Sequence, residues 1–257
     1  MKIVSIGAGN LASHLSKALQ KAGFDIVQVY SRTETSAREL AECLQTSYST
    51  SIENIVDNAS LFIISVSDDA LESIVEKMPS TEGLVLHTAG SVSIDVFSGK
   101  FKNYGILYPL QTFSKFRPVD FSEIPVFLEA NTRNNLQTLR TIAEAISSKV
   151  YEASSSERMK LHLAAVFGCN FVNYLFHLSS EVTKQAGFDF NVLHPLILET
   201  VHKALVSGNP KKAQTGPAFR NDQKVIQKHM DLLISFPEWQ ELYALLSERI
   251  FKMKNEP

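Results

Sequence analysis

A short glycine-rich turn near the N-terminus has the residue types and spacing needed to hold a pyrophosphate. An apolar run, Met1 to Ile6, leads directly into the motif Gly-Ala-Gly-Asn-Leu-Ala at residues 7–12. The first glycine permits a tight turn, the second lets a ligand approach the backbone, and the alanine lets a helix pack on the strand. Amides at the start of that helix attract phosphate. The pattern predicts a dinucleotide site rather than an ordinary strand–helix connection, with contacts from Gly7, Gly9, Asn10 and Leu11.

The end of the second predicted strand indicates which dinucleotide would bind. An NAD site usually has a carboxylate there to bind the ribose hydroxyls, but this chain has Ser31, Arg32 and Thr33. A guanidinium and two hydroxyls can hydrogen-bond a 2′-phosphate that a carboxylate would repel. These three residues therefore favour NADP over NAD. The alternative is that Arg32 is simply solvated and that Ser31 caps the next helix, because Ser31 and Glu34 have capping-box spacing.

A loop that follows the central predicted strand lies on the edge of the sheet where open α/β sheets bind ligands. Residues 65–68 read Ser-Val-Ser-Asp, and we expect Ser65 and Val66 to line the ribose and phosphates of the cofactor. Asp68 could instead cap a helix that begins near Ala70.

The next strand is followed on the same edge by His-Thr-Ala-Gly-Ser at residues 87–91. We expect Ala89 and Gly90 to lie near the nicotinamide, because a glycine lets the backbone approach a ligand closely. His87 is a candidate proton donor. The alternative is a histidine that only caps the end of the strand.

A long apolar helix in the second half of the chain has an unusual polar stripe. His162, Val166, Asn170, Asn173 and His177 are spaced to lie within about 80° of one face of a regular helix. Buried polar groups need partners, so the stripe predicts either a polar site or contacts with another helix or subunit. We expect His162 and Asn170 to act at the site, whereas the second explanation is favoured for His177.

Residues 211–222 form a second polar segment, Lys-Lys-Ala-Gln-Thr-Gly-Pro-Ala-Phe-Arg-Asn-Asp. Its Thr-Gly-Pro sequence predicts a rigid turn with exposed backbone at Thr215. Arg220 suits a substrate carboxylate, with Asn221 beside it, although a surface ion pair is the alternative for Arg220. Asp222 is expected to cap the following helix.

Composition excludes several classes of function. The chain has 257 residues, a hydrophobic content of 44% and a formal net charge of −2, so nothing favours binding to nucleic acid or an anionic membrane. Its two cysteines, Cys43 and Cys169, have no metal-site spacing, and no metal is expected. We recognise no signal peptide and no apolar run of membrane-spanning length. A cytoplasmic protein is the expectation.

The pattern of predicted elements divides the chain into two parts. Strands and helices alternate up to residue 152, which predicts an α/β fold with a doubly wound, parallel, Rossmann-type sheet. Residues 153–257 predict an all-α domain for substrate binding and dimerisation. Its helices are expected at 157–185, 192–207, 222–235 and 237–252, the first of them after a capping box formed by Ser154 and Glu157.

These residues together resemble the Rossmann-like group of pyrroline-5-carboxylate reductase, ketopantoate reductase and the 3-hydroxyacid dehydrogenases. More narrowly, the chain resembles a bacterial group of NADP- or deazaflavin-dependent oxidoreductases with a helical domain of unknown function. The resemblance is carried by the glycine motif and by residues 87–90, 108–113, 162–165 with 170, and 215–222. The catalytic lysine of the 3-hydroxyacid dehydrogenases does not transfer, because Lys160 points away from His162 on a regular helix.

The resemblance and the motifs lead to one functional expectation. A nicotinamide would exchange a hydride with a C=O or C=N group of a small polar substrate that carries a carboxylate, while His162 or His87 supplies a proton. Asn170 would orient the substrate, and Thr215, Arg220 and Asn221 would bind its polar end. The resemblance implies a homodimer formed through the helical domain. The alternatives are an NADP-binding sensor or scaffold without catalysis, and a deazaflavin-dependent reductase.

Overall fold

The protein is described by a computed structural model that covers residues 1–115 and 117–255. Its backbone divides into two compact units, Met1–Asn170 and the residues from Phe171 onward. The division lies beyond the predicted boundary at residue 152. The difference has a physical reason, because the buried side chain of Arg158 bonds to the backbone of Ala89 and to Glu129 in the sheet.

The first unit is built on one eight-stranded sheet with the order β3-β2-β1-β4-β5-β6-β7-β8. The strands are β1 Lys2–Ile6, β2 Asp25–Tyr30, β3 Ser47–Ser49, β4 Leu61–Ile64, β5 Leu84–His87, β6 Tyr104–Pro109, β7 Val126–Ala130 and β8 Val150–Glu152. The order of the first six strands is that of a Rossmann fold, whose direction of winding reverses between β1 and β4. All neighbours are parallel except β6 and β7, which are antiparallel. The sheet is therefore mostly, not wholly, parallel.

Helices flank this sheet on both faces. They are α1 Asn10–Lys21, α2 Glu34–Leu44, α3 Asp68–Lys77 and α4 Arg133–Glu144, and a further helix, α5 Ser155–Ala165, follows β8. Two apolar clusters result, one including Leu15, Leu40 and Leu139, the other including Phe62 and Phe97. Buried area of this kind stabilises the fold by about 25 cal/mol per Å² of apolar surface. The sheet is thus a fixed platform for the loops at its carboxyl edge.

The predicted capping box at the start of α5 is confirmed. The Ser154 hydroxyl accepts a hydrogen bond from the Glu157 amide, and the Glu157 carboxylate accepts one from the Ser154 amide. The expectation of one regular helix over 157–185 is wrong, since α5 is followed by a π-helical segment, Val166–Phe171. A π segment has more residues per turn than an α-helix, so the angular positions calculated for a regular helix do not hold at Asn170.

The second unit is helical in its described residues. It contains α6 Val172–Gln185, α7 His194–Val206, α8 Pro210–Ala213, α9 Pro217–Arg220, α10 Gln223–Leu232 and α11 Pro237–Asn255. Asp222 caps α10 as predicted, because its carboxylate accepts a hydrogen bond of 3.3 Å from the Val225 amide.

One helical run has the length and composition of a membrane span. Ser155–Gln185 has 31 residues, and its most apolar stretch has a mean hydropathy of 1.3, so the expectation of no such run is wrong. None of that stretch is buried. By length and composition alone, one helix of this kind is weak evidence for a membrane protein.

Candidate active site

The glycine turn connects β1 to α1 in a conformation that requires glycine. Gly7 has a φ of +117°, and its amide donates a hydrogen bond of 2.7 Å to the Tyr30 carbonyl in β2. A Cβ atom at Gly7 would contact the Ser65 carbonyl oxygen and lie 2.8 Å from the Ser65 carbonyl carbon. The turn is therefore pressed against the loop after β4, and any other residue would be strained there.

Gly9 provides the close approach that a pyrophosphate needs. No described atom lies within 4 Å of the position that a Cβ of Gly9 would occupy. Gly9 is the N-cap of α1, and it leaves the amides of the first turn without a side-chain acceptor. Free amides and the helix dipole at this position suit a bound phosphate. The residues present therefore fit the pyrophosphate of a dinucleotide.

Asn10 and Leu11 both make contacts within the protein that the sequence did not suggest. The Asn10 side-chain amide donates a 3.0 Å hydrogen bond to the Phe113 carbonyl, which ties the loop after β6 to the glycine turn. Leu11 packs against the apolar cluster between the sheet and α1. Cofactor contacts from these two residues stay a prediction.

The residues after β2 fit a 2′-phosphate. The side chains of Ser31, Arg32 and Thr33 make no hydrogen bond or ion pair with any residue in the described part of the chain. The helix α2 starts at Glu34 with Thr33 as its N-cap, so Ser31 does not form the capping box that was the alternative. The three polar groups are therefore available to a ligand, with the guanidinium of Arg32 exposed.

The loops after β4 and β5 are joined by hydrogen bonds between their side chains. The Thr88 hydroxyl donates to the Ser65 hydroxyl at 3.2 Å, and Ser65 is buried beneath the glycine turn. The Ser91 hydroxyl donates to the Asp68 carboxylate. Asp68 does not act as the cap of a helix at Ala70, because α3 already begins at Asp68. Val66 packs partly into the second apolar cluster.

His87 is a buried residue at the end of β5. Its side chain is 0% exposed, and its Nδ1 accepts a 3.1 Å hydrogen bond from the Ala89 amide. Its Nε2 has no hydrogen-bond partner of good geometry among the described residues. Burial, and then the positive charge of Arg158, lower the pKa of His87 to about 3. The ring is thus neutral at physiological pH, and its position is that of a core residue.

Gly90, Tyr108 and His162 meet at one point of the first unit. The Tyr108 hydroxyl lies 3.2 Å from His162 Nδ1 in a hydrogen bond, and the two rings are arranged edge to face. A Cβ at Gly90 would lie 2.8 Å from His162 Nδ1 and 2.9 Å from the Tyr108 hydroxyl. A glycine at position 90 is therefore what allows the Tyr108–His162 pair to form. Tyr108 is in a segment that carried the resemblance, but sequence reasoning gave it no role at the site.

The protonation of Tyr108 depends on its surroundings. Burial raises the pKa of Tyr108 above its ordinary value, the Arg158 charge acts in the opposite direction, and the Asp68 charge reinforces the rise. Tyr108 therefore carries its proton throughout the physiological pH range.

Arg158 holds the loop after β5 against α5. Its side chain is 1% exposed, and its guanidinium pairs with Glu129 at 2.6 Å. It also donates to the carbonyls of Ala89 and Val92 and to the Ser155 hydroxyl. This residue was also missed, and its signal was its position four residues before His162, on the same face of a helix.

The remaining predicted residues lie elsewhere in the chain. Asn170 is exposed at the end of the first unit, within the π segment. In the second unit, Thr215 and Arg220 are exposed, and Asn221 has a left-handed conformation with a φ of 60° and accepts a hydrogen bond from Gln223. In the described part of the chain, no group of three or more His, Cys, Asp and Glu residues could hold a metal.

The fold and the glycine turn define a Rossmann-type dinucleotide-binding protein. Two family models match its sequence. One, described as NADP oxidoreductase, coenzyme F420-dependent, matches residues 2–91, and the other, a domain of unknown function (DUF2520), matches residues 124–250.

Solved structures identify the family. The chain is 48% identical to a "putative NADP oxidoreductase" from Bacteroides fragilis, with 98% of both chains covered and a TM-score of 0.91. This identity over nearly the whole length shows that the chain belongs to that family of NADP oxidoreductases, and NADP is its cofactor.

More distant structures share the fold. A protein from Thermotoga maritima is 20% identical over 100% of both chains, with a TM-score of 0.81. A pyrroline-5-carboxylate reductase from Streptococcus pyogenes is 14% identical over 100% of this chain and 99% of the other, with a TM-score of 0.63. A comparison with curated proteins finds no match.

Proposed function

We propose that the protein is an NADP-dependent enzyme that exchanges a hydride with a C=O or C=N group of a small polar substrate that carries a carboxylate. The observation that carries this proposal is the meeting of Gly90, Tyr108 and His162 in the unit that holds the glycine turn. These residues lie on or beside β5 and β6, whose carboxyl ends share an edge with the glycine turn. Open α/β sheets bind ligands at this edge.

The cofactor would be held by backbone more than by side chains. The α1 amides beside Gly9 would bind the pyrophosphate, and Ser31, Arg32 and Thr33 would bind the 2′-phosphate. Ser65, Val66, Ala89 and Gly90 would border the ribose and nicotinamide. NADPH supplies the hydride when it is bound.

His162 is the candidate that moves a proton. Its ring is half-buried, its Nδ1 contacts the Tyr108 hydroxyl, and a histidine suits proton transfer near neutral pH. His87 was the other candidate, and its burial with Nδ1 already engaged favours a structural role.

The substrate-binding residues remain proposals from the sequence. Asn170 would orient the substrate, and Thr215, Arg220 and Asn221 would bind its carboxylate. Arg220 forms no ion pair with the residues that the structure describes, which leaves its guanidinium free for such a group. A bidentate pair between arginine and a carboxylate would give both affinity and orientation.

We further propose a homodimer in the cytoplasm. The second unit exposes many large apolar side chains, among them Leu196, Leu198, Leu205 and Val206 of α7, with Leu205 76% exposed. Apolar surface of this extent indicates a protein interface.

Cofactor titration tests the proposed function directly. NADPH, NADH and reduced coenzyme F420 are added separately, and binding is followed by fluorescence and thermal shift, since a bound ligand raises the apparent stability. F420 is included because one family model names it. We expect NADPH to bind most tightly and to be oxidised when a substrate is added. Preference for F420 would contradict it, and NADPH binding without turnover of any substrate would indicate a sensor or scaffold.

A further inference from the structure

We propose that this site reduces a carbonyl group rather than an imine, with the Tyr108 hydroxyl as the proton donor to the carbonyl oxygen. The inference rests on the proposed function and narrows it to one substrate class. It also gives Tyr108 a catalytic role.

The two substrate classes make different demands on a proton donor. A hydride added to a carbonyl carbon leaves a negative charge on oxygen, which needs a positioned acid. An imine reacts as its protonated, cationic form, and the hydride then gives a neutral amine directly. A carbonyl site therefore needs an acidic hydrogen-bond donor, whereas an iminium site needs negative charge to stabilise the cation.

Tyr108 is positioned to donate a proton to the carbonyl oxygen of a substrate. Tyr108 is 8% exposed, its ring packs against Phe127, and its hydroxyl contacts His162 Nδ1 at 3.2 Å. A phenol can accept one hydrogen bond while it donates another. In the tautomer of His162 that carries its hydrogen on Nδ1, the ring donates to Tyr108, and the Tyr108 hydroxyl keeps its own hydrogen for a substrate oxygen.

The surroundings of the Tyr108–His162 pair contain no carboxylate that hydrogen-bonds to either member among the described residues. Burial has the largest effect on the pKa of Tyr108 and raises it, while the charges of Arg158 and Asp68 act in opposite directions. Glu129 is paired with Arg158, and Asp68 accepts a hydrogen bond from Ser91. No carboxylate hydrogen-bonded to this pair would therefore stabilise the positive charge of an iminium.

Tyr108, His162 and water together supply every proton that the reaction needs. The carbonyl carbon receives the hydride, its C=O π bond breaks, and the oxygen takes the proton from the Tyr108 hydroxyl. As the Nδ1–H of His162 passes its proton to the Tyr108 oxygen, Nε2 of the half-buried ring takes a proton from water, so the ring changes tautomer and stays neutral. The net reaction converts one carbonyl, one NADPH and one proton to one alcohol and one NADP⁺.

The experiment compares matched probes with wild-type protein and Tyr108→Phe. Pyruvate, glyoxylate and 2-oxoglutarate are the carbonyl probes, and 1-pyrroline-2-carboxylate and 1-piperideine-2-carboxylate are the imine probes. The control is Tyr104→Phe, which removes a hydroxyl from the same strand without touching the pair. We expect NADPH oxidation with a carbonyl probe, and a loss in kcat of about 100-fold or more in Tyr108→Phe with little change in KM. Tyr104→Phe should retain the wild-type rate.

A second measurement does not depend on turnover. Tyrosinate absorbance is titrated with pH in wild type and in Tyr108→Phe, and the difference isolates Tyr108. We expect Tyr108 to lose its proton at a higher pH than an ordinary tyrosine, whose pKa is about 10. A titration that is complete below the pH of the activity assay would contradict the donor assignment, because the hydroxyl would then hold no proton to donate.

The outcomes separate this inference from the proposed function. Turnover of imine probes alone, unchanged by Tyr108→Phe, would overturn the carbonyl assignment while the proposed function stands. A failure to bind NADPH would overturn the proposed function itself. NADPH binding with no turnover of either probe class would contradict both.

Discussion

At the scale of single residues, cofactor choice depends on Arg32. Its exposed guanidinium has no partner among the described residues and follows β2, where a dinucleotide places its adenosine ribose. We expect Arg32→Ala to weaken NADPH binding by about tenfold or more, because a charge-assisted hydrogen bond contributes roughly 1.5–3 kcal/mol. Binding of NADH, which lacks the 2′-phosphate, should change little. Fluorescence titration of both cofactors measures the two affinities, and an equal loss for both would contradict the assignment.

His87 makes the stability of the fold depend on pH. Its pKa is lowered to about 3 in the folded protein, whereas an exposed histidine titrates near 6.5. Below pH 6.5 the unfolded chain therefore binds a proton that the folded chain does not, and stability is lost as the pH falls from about 6.5 to about 3. Protonation of His87 alone should lower the free energy of unfolding by on the order of 4 kcal/mol over this pH range.

We compare wild type with His87→Leu to isolate the pH dependence that His87 causes. The leucine keeps an apolar side chain beside Phe97. Urea unfolding at several pH values gives the free energy of unfolding of each protein. The variant should show a shallower decline between pH 6.5 and pH 3. Parallel declines in the two proteins would show that His87 is not the group responsible.

At the scale of secondary-structure elements, the Arg158–Glu129 pair joins α5 to β7 and to the loop after β5. We expect Arg158→Met to destabilise the first unit by about 3–5 kcal/mol, because it leaves Glu129 as an unpaired and mostly buried charge. The exposed pair of Arg38 and Glu42 gives a matched control, since Arg38→Ala should cost no more than about 1 kcal/mol. Hydrogen exchange of the β5 amides reports these free energies, and similar values for the two variants would contradict the account.

Much of the sheet was predictable from sequence at this scale. The predicted alternation of strands and helices is confirmed, because short apolar runs between turn signals, such as Leu84–His87 in β5, identify strands well. The π segment after α5 was not predictable, since its residues also suit an α-helix. The antiparallel pairing of β6 and β7 was also missed, because the residues of a strand do not determine its direction in the sheet.

The candidate site was predictable only in part. The glycine turn is local, so its residues and spacing were enough to identify it. The Tyr108–His162 pair joins residues 54 positions apart, and it forms only because β6 lies beside β5 and α5 returns to this edge. Arg158 follows the capping box directly, and its burial depends on Ala89, Val92 and Glu129, which are distant in the sequence.

At the scale of the whole molecule, the protein is an NADP oxidoreductase of a two-part family whose nucleotide-binding unit also contains the candidate reacting groups. The central claim is that the nicotinamide lies beside the Tyr108–His162 pair. A crystal structure with NADP⁺ tests this most directly, through the distance from nicotinamide C4 to the Tyr108 hydroxyl oxygen. A substrate between them requires about 5–6 Å, from a hydride-transfer distance of about 3–3.5 Å and a hydrogen bond to the substrate oxygen. A distance beyond about 10 Å would rule out contact-range chemistry and contradict the account.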